Sequence, residues 1–184
     1  LGGYLVGNIA YSTRLKHNEI VDVFVLASGF VFRIFYGGFY FGIPISSWLF
    51  LCVFSGALFF AFGKRRGELR RYGQDSQSRP VLAKYNERFL DAHYYLCCAL
   101  MILFYCLWTI TRTDQHSVGK LALTIPVMFF MVFRYNLVVE KGGCDADPVS
   151  TFLNDKWLLL GAGCFLAMNF VVLYLGQYLP KVYY

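Results

Sequence analysis

Apolar runs long enough to cross a bilayer recur along this 184-residue chain, and few folds can accommodate them. A transmembrane helix needs about 20 consecutive apolar residues, and their regular recurrence favours a helical bundle over a barrel. With 58% hydrophobic and 15% charged residues, the chain has more apolar surface than a soluble core of this size can bury. We therefore predict an all-α, polytopic transmembrane bundle that forms one domain, residues 1–184. Its six runs are Leu1–Tyr11, which is too short to span, Ile20–Phe41, Ser46–Phe62, Phe89–Ile110, Leu121–Val139 with a kink at Pro126, and Trp157–Leu175.

The segment Gly63–Tyr72 holds five cations and one carboxylate directly after the third of these runs. Such a segment cannot lie within hydrocarbon, so we expect it to open a basic loop, Gly63–Arg88, at one membrane surface. Thirteen of the 17 Lys and Arg residues fall on the side of this loop and three on the opposite side, which assigns the loop to the cytoplasm. Because the cations are concentrated at span ends, the net charge of +6 indicates topology and anionic headgroups rather than a nucleic-acid partner.

Cations and carboxylates from three separate loops are predicted to converge on this cytoplasmic face. Lys and Arg bind phosphate oxygens and carboxylates hold hard cations, so the set fits a phosphate-bearing substrate bound with Mg²⁺. The alternative is that these charges are solvated anchors at the ends of spans. No Walker loop, catalytic triad or nucleotide fingerprint accompanies them. The candidate residues are Tyr11, Lys16, Asp22, Lys64, Arg65, Glu68, Arg134, Asp145, Asp147 and Asp155.

Arg33 falls in the middle of the second run, where a cation costs roughly 2.5–3.5 kcal/mol on insertion scales. We therefore expect it to face the bundle interior and to have a partner, which could be a carboxylate, a backbone carbonyl or a lipid phosphate. Asp22 lies three turns earlier on nearly the same helix face, and we interpret it as a site residue in preference to a helix cap. Arg33 and Arg134 join the candidates for substrate-phosphate binding.

Short pieces spread over the whole chain form a recognisable set. They are Asn8–Ser12, Leu15–His17, Val21–Val23, Ser28–Val31 with Arg33, Gly63–Arg65 with Glu68 and Leu69, Leu123–Pro126, Phe133–Tyr135, Gly142 with Gly143, Asp147 with Pro148, and Asn154–Lys156. Taken together, they resemble the bacterial decaprenyl-phosphate phosphoribosyltransferase branch of the UbiA prenyltransferase superfamily. The resemblance implies nine transmembrane helices around a lipid-open cavity in the bacterial inner membrane, of which the six runs here would be the fourth to ninth. It also implies Mg²⁺-dependent joining of a polyprenyl phosphate to 5-phosphoribosyl diphosphate, on the way to cell-wall arabinan.

The basic segment distinguishes this branch, because aromatic prenyltransferases of the superfamily carry a second Asp-rich DxxxD motif where this chain has Lys64–Glu68. Cations suit anionic donor and acceptor groups better than a second metal motif would. The resemblance implies that Lys64 and Arg65 contact phosphates and that Glu68 orients them or the metal. Tyr11, Lys16 and Asp22 would line the cavity mouth, although the Tyr11–Lys16 spacing is one residue longer than the YxxxK of aromatic members. Catalytic roles are thus expected for Asp22, Lys64 and Glu68.

The first Asp-rich motif of the superfamily, NDxxDxxxD, does not occur in this sequence. We therefore expect these residues alone to be inactive, with the metal-binding motif supplied by a longer parent protein or by another chain. Two alternatives stay open at this point. One is an aromatic prenyltransferase of the superfamily, and the other is a non-catalytic lipid-binding or transport protein. Gly37, Gly38 and Gly42 suit close packing either within the bundle or between the protomers of a homo-oligomer.

Overall fold

The computed structural model describes residues 19–42, 45–72, 85–111, 120–141 and 148–174, and these residues form helices with no strand among them. This confirms the predicted all-α class. The helices are α1 (Glu19–Phe41), α2 (Ser47–Tyr72), α3 (Glu87–Thr111), a 3₁₀ turn (Lys120–Thr124), α4 (Ile125–Glu140), α5 (Pro148–Asn154) and α6 (Lys156–Tyr174).

Four helical segments are long and apolar enough to cross a membrane: Ile20–Phe41, Ser47–Arg71, Glu87–Thr111 and Leu121–Glu140. Each corresponds to one predicted run, and a shorter apolar helix lies at Lys156–Val172, near the last predicted run. The integral-membrane character predicted from composition is therefore supported. The first predicted run lies outside the described residues.

Helix α2 extends ten residues beyond the predicted end of its span, through the basic segment to Tyr72. The prediction of a loop from Gly63 onward is therefore wrong for residues 63–72. Arg and Lys are good helix formers, and Arg65 and Glu68 form an i,i+3 ion pair that favours the helix. At 26 residues α2 is about 39 Å long, which exceeds the hydrocarbon thickness of about 30 Å, so one end can stand outside it.

Pro126 does not kink a continuous helix as predicted. The chain first makes the 3₁₀ turn, and α4 starts at Ile125 with Pro126 in its first turn. A proline is well tolerated there because the first N–H groups of a helix have no intrahelical acceptor. The short helix α5 lies between the fifth and sixth predicted runs, where no helix was predicted.

The chain divides into two compact units. The first contains α1 and the parts of α2 and α3 that lie within Val53–Met101. Its core is aromatic: the rings of Phe59 and Tyr94 stack with centroids 4.5 Å apart, and Phe24 meets Phe54 edge to face. These contacts pack α2 against both α1 and α3 in this unit.

The second unit contains Ser46–Cys52 and the described residues from Ile102 onward, and it is built around α4 and α6. The 3₁₀ turn is fixed by a buried polar contact, because the hydroxyl groups of Tyr105 and Thr124 lie 2.5 Å apart. Helix α6 packs closely on α4: a Cβ added at Gly161 would lie 3.0 Å from Cγ of Met131.

Candidate functional site

A buried ion triad joins the start of α1 to the charged end of α2. Arg65 donates from Nε to Oδ2 of Asp22 and from Nη1 to Oε2 of Glu68, each at 2.5 Å. The side chains of Arg65 and Asp22 are only 3% and 4% exposed, and that of Glu68 is 9% exposed. Removing one member would leave a buried charge with fewer groups of opposite charge around it, which is strongly destabilising. The triad therefore holds the start of α1 against the charged end of α2.

The next residue, Arg66, makes an equivalent link to α3. Its Nε donates to Oδ1 of Asp91, and its guanidinium carbon lies 5.0 Å from the ring centroid of Tyr94 and 5.6 Å from that of Tyr95. Adjacent helical residues point about 100° apart. The two consecutive arginines can therefore serve two different neighbouring helices, α1 through Arg65 and α3 through Arg66.

The remaining cations of the basic segment are exposed. Arg70 donates from Nε to Oε1 of Glu87 at 3.0 Å, in an ion pair that is open to solvent. Lys64 and Arg71 are exposed as well, and no ion pair involves Lys64 in the part of the chain that the structure describes. The segment thus has two buried cations, Arg65 and Arg66, and three exposed ones, of which Lys64 has no ion pair among the described residues.

The structure brings together three of the residues predicted for the site, Asp22, Arg65 and Glu68, and places Lys64 beside them in the sequence of α2. Arg65 was predicted to contact substrate phosphates, but two of its donor atoms are engaged by carboxylates in a buried position. Lys64 keeps the exposure that a phosphate contact needs. Tyr11 and Lys16, predicted to line the cavity mouth, lie outside the described residues, as do Asp145 and Asp147.

Arg134, another predicted phosphate contact, lies in the second unit and pairs with Asp155. Its Nη2 donates to Oδ2 of Asp155 at 2.7 Å, and its Nε lies 3.2 Å from both carboxylate oxygens. Oδ1 of Asp155 also accepts the backbone N–H groups of Trp157 and Leu158, so this side chain caps the N-terminus of α6. The hydrogen bond from Arg134, reinforced by these backbone donors, lowers the pKa of Asp155 below its ordinary value.

Arg33 does not face the interior as predicted. It is exposed on α1, and its guanidinium carbon lies 5.5 Å from the ring centroid of Phe30, one turn earlier on the same helix. The prediction of an inward orientation is therefore wrong for the structure of this chain. Most of the other exposed side chains of α1 are aromatic, with Phe39 89% exposed.

Sequence reasoning missed the contacts between Arg66 and α3. Asp91 lies only two residues inside the predicted fourth run, and a carboxylate at that position needs a cation or water. That requirement was a usable signal for a partner, but it did not identify which of five nearby cations would supply it.

Among the described residues, no group of three or more His, Cys, Asp or Glu side chains could hold a metal ion. Asp22 and Glu68 are the predicted site carboxylates that lie in the described part of the first unit, and both bind Arg65. By themselves these residues do not form a Mg²⁺ site.

Curated proteins from three bacteria that are similar to this chain share one name. The chain is 31% identical over 165 residues to the decaprenyl-phosphate phosphoribosyltransferase of Mycobacterium tuberculosis, which covers 89% of this chain and 54% of that protein. It is 30% identical over 166 residues to the protein of that name from Mycolicibacterium smegmatis, covering 84% of the chain and 51% of the relative. The Corynebacterium glutamicum protein of the same name is 28% identical over 162 residues, or 86% and 48%. The chain spans about half the length of these relatives. No family model matches the sequence.

Proposed function

Because this chain is a homologue of decaprenyl-phosphate phosphoribosyltransferases over most of its length, we propose that it is part of a membrane enzyme of that activity. The enzyme would transfer a 5-phosphoribosyl group from phosphoribosyl diphosphate to a polyprenyl phosphate and release diphosphate. The product would serve the synthesis of cell-wall arabinan precursors. The homology, at about 30% identity over more than four fifths of the chain, is the observation that carries this proposal.

The geometry of the first unit supports a reaction between anionic groups. The acceptor oxygen of a polyprenyl phosphate is already anionic, so it needs no general base before it attacks the anomeric carbon of the donor. A carbon–oxygen bond to the lipid phosphate forms, and the bond to diphosphate breaks. What remains for the protein is positioning and charge neutralisation. Exposed Lys64 is suited to neutralise phosphate charge, and the triad of Asp22, Arg65 and Glu68 holds the helix that carries it.

The same feature argues against transfer of a prenyl group to an aromatic acceptor. Aromatic prenyltransferases of the superfamily carry a second Asp-rich DxxxD motif in this segment. This chain has Lys64 and Arg65 there. Arg65 is engaged by the carboxylates of Asp22 and Glu68, so these two side chains are already committed to a cation. They are poorly placed to act as an open metal-binding pair.

A Mg²⁺ requirement is part of the proposal, but its ligands have to come from outside the described residues. The described residues contain no suitable group of metal ligands, and the sequence contains no NDxxDxxxD motif. We therefore expect no turnover from these 184 residues alone. The asymmetry of Lys and Arg supports a location of the charged end of α2 on the cytoplasmic side of the bacterial inner membrane.

The experiment is an assay of the complete protein that carries these residues, reconstituted in liposomes with Mg²⁺. One reaction offers labelled phosphoribosyl diphosphate with polyprenyl phosphate, and a second offers prenyl diphosphate with 4-hydroxybenzoate. We expect labelled lipid in the first reaction only, and none after addition of a chelator. Product in the second reaction alone would replace the proposal with aromatic prenyl transfer. Lipid binding without turnover in either reaction would identify a non-catalytic lipid-binding protein.

A further inference from the structure

The second half of α1 is poorly covered by the rest of the chain. In the first half Asp22, Val23 and Ala27 are buried, and Asp22 binds Arg65 of α2. Among residues 28–41, all of which the structure describes, none is buried. Helix α1 therefore packs on the first unit through its first half, while its second half has no side that is fully covered.

Arg33 lies in this open half, deep within the predicted span. Its Cα is about 12 Å along the helix axis from Phe41, where α1 ends, and about 21 Å from Glu19, where α1 begins. Its guanidinium carbon lies 5.5 Å from the ring centroid of Phe30, three residues toward the N-terminus. The side chain is therefore directed away from the nearer end of the helix and from the headgroups there. An arginine that faces lipid at this depth is unfavourable.

The side of α1 around Arg33 is open to a close neighbour. Gly29 and Gly37 lie one turn before and one turn after it, and a Cβ added at either glycine would meet no atom of the described residues within 4 Å. We call Gly29, Arg33 and Gly37 the Arg33 face. Asp22 lies on the same side of the helix but about 16.5 Å away along the axis, where it is buried against Arg65. Glycines let membrane helices approach each other closely. The other side chains around the face are Leu26, Phe30, Tyr36 and Tyr40, and they are uncharged.

We propose that a further membrane helix of the same polypeptide, from outside these 184 residues, packs on the Arg33 face and presents a carboxylate to the guanidinium of Arg33. The matched region covers 51% of one curated relative and 54% of another, so about half of each relative lies outside it. A complete protein of similar length contains enough further chain to supply this helix. The pair would place Arg33 in the interior of the complete bundle, and the inference does not depend on the transfer reaction.

The carboxylate has to come from outside these residues, because this chain has none at the depth of Arg33. Within the six predicted apolar runs the acidic residues are Asp22 and Asp91, and each is the third residue of its run. They lie near the starts of α1 and α3, where they bind Arg65 and Arg66. A second copy of the chain therefore brings no counter-ion to the face. A phospholipid carries its phosphate at the membrane surface, whereas Arg33 is directed toward the middle of the span.

The first measurement identifies what covers the Arg33 face. The complete protein, in its native membranes, carries the photoreactive residue p-benzoylphenylalanine in place of Tyr36, which is exposed beside the face. After irradiation, the cross-linked peptides are mapped by mass spectrometry. We expect a product with the mass of one chain, in which the link joins a peptide from outside these 184 residues that has an Asp or Glu within an apolar run. Links to lipid alone, to a peptide from within these residues, or to another protein would each overturn the inference.

The second measurement tests the charge and needs no transfer activity. In the complete protein, Arg33→Gln should lower the melting temperature in detergent by about 5 °C, because the partner carboxylate stays buried without its counter-ion. Arg33→Lys should restore part of this loss. The matched control is Arg88→Gln, which removes an exposed cation at the start of α3 and should have no effect. Replacing the acid of the cross-linked helix by its amide in the Arg33→Gln background should add little further loss. A wild-type melting temperature in Arg33→Gln, or fully additive losses for the two substitutions, would overturn the pairing.

Discussion

Arg65 of α2 binds Asp22 of α1 through a hydrogen bond of 2.5 Å, although 43 residues separate them in the chain. Both side chains are almost fully buried, and Glu68 accepts a second bond from the same guanidinium. Arg65 is one of five cations in the basic segment Gly63–Tyr72, which the sequence predicts to be a loop at the membrane surface. In the structure it is instead the buried centre of a contact between two helices. This relationship changes what mutations of the segment are expected to do.

Asp22→Asn should lower the free energy of unfolding by about 3 kcal/mol, because it leaves the buried Arg65 guanidinium with one carboxylate in place of two. Combining it with Arg65→Gln should cost less than the sum of the two single changes, since the residues share one contact. Denaturant unfolding in detergent micelles measures these values. The matched control is Arg70→Gln, whose exposed pair with Glu87 should contribute less than about 1 kcal/mol. Equal losses in Asp22→Asn and Arg70→Gln would contradict a buried triad.

Lys64 and Glu68 should respond differently to substitution, although both were predicted as catalytic residues. In the complete protein, Lys64→Ala should reduce phosphoribosyl transfer at least tenfold with an unchanged melting temperature, because its side chain is exposed. Glu68→Ala should lower both activity and melting temperature, since Arg65 loses a buried acceptor. Parallel assays and thermal unfolding of the two variants measure this difference. Wild-type turnover in Lys64→Ala would remove the end of α2 from the site.

Two glycines of α6 offer a matched pair for testing helix packing in the second unit. A Cβ at Gly161 would lie 3.0 Å from Cγ of Met131 and 3.6 Å from the ring of Phe130, whereas a Cβ at Gly163 would have no atom within 4 Å. Gly161→Ala should therefore destabilise the protein by forcing α4 and α6 apart. Gly163→Ala should stabilise it by up to about 1 kcal/mol, the helix propensity of Ala over Gly. Thermal unfolding of both variants gives the comparison, and equal shifts would contradict the close approach at Gly161.

The positions of the membrane helices could be predicted from sequence, because apolar runs of bilayer length have few other structures available. Helix α1 and the predicted run Ile20–Phe41 nearly coincide. The end of α2 could not be predicted in the same way, since charge excludes a segment from hydrocarbon but does not exclude it from a helix. Tertiary contacts of Arg65 and Arg66 decide that the helix continues to Tyr72.

The candidate site was predicted in composition but not in geometry. Asp22, Arg65 and Glu68 do meet, yet charge alone could not distinguish a cation that binds substrate from one that binds two carboxylates. The prediction that Arg33 faces the interior is wrong for a related reason. The cost of inserting a cation into the membrane predicts that it needs a partner, but it does not predict the direction in which the side chain points. The structure has it beside Phe30 on an exposed face.

Asp155 should make the stability of the second unit depend on acidic pH. Its pKa is lowered in the folded protein, first by the hydrogen bond from Arg134 and then by the backbone N–H groups of Leu158 and Trp157. In the unfolded chain its pKa returns to about 3.9. A carboxyl group with a depressed folded pKa contributes stability above the unfolded value, and that contribution is lost as the pH falls through the folded value. The melting temperature should therefore fall on acidification below about pH 4.

Two variants test this pH dependence. Asp155→Asn, which keeps one acceptor oxygen for the helix cap, should have a lower melting temperature at pH 7, and its melting temperature should depend less on pH between pH 5 and pH 2. Arg134→Gln should weaken the dependence as well, because the largest cause of the shift is removed. Thermal unfolding in detergent over that pH range makes the measurement, and a wild-type pH profile in both variants would contradict a stabilising pair of Arg134 with Asp155.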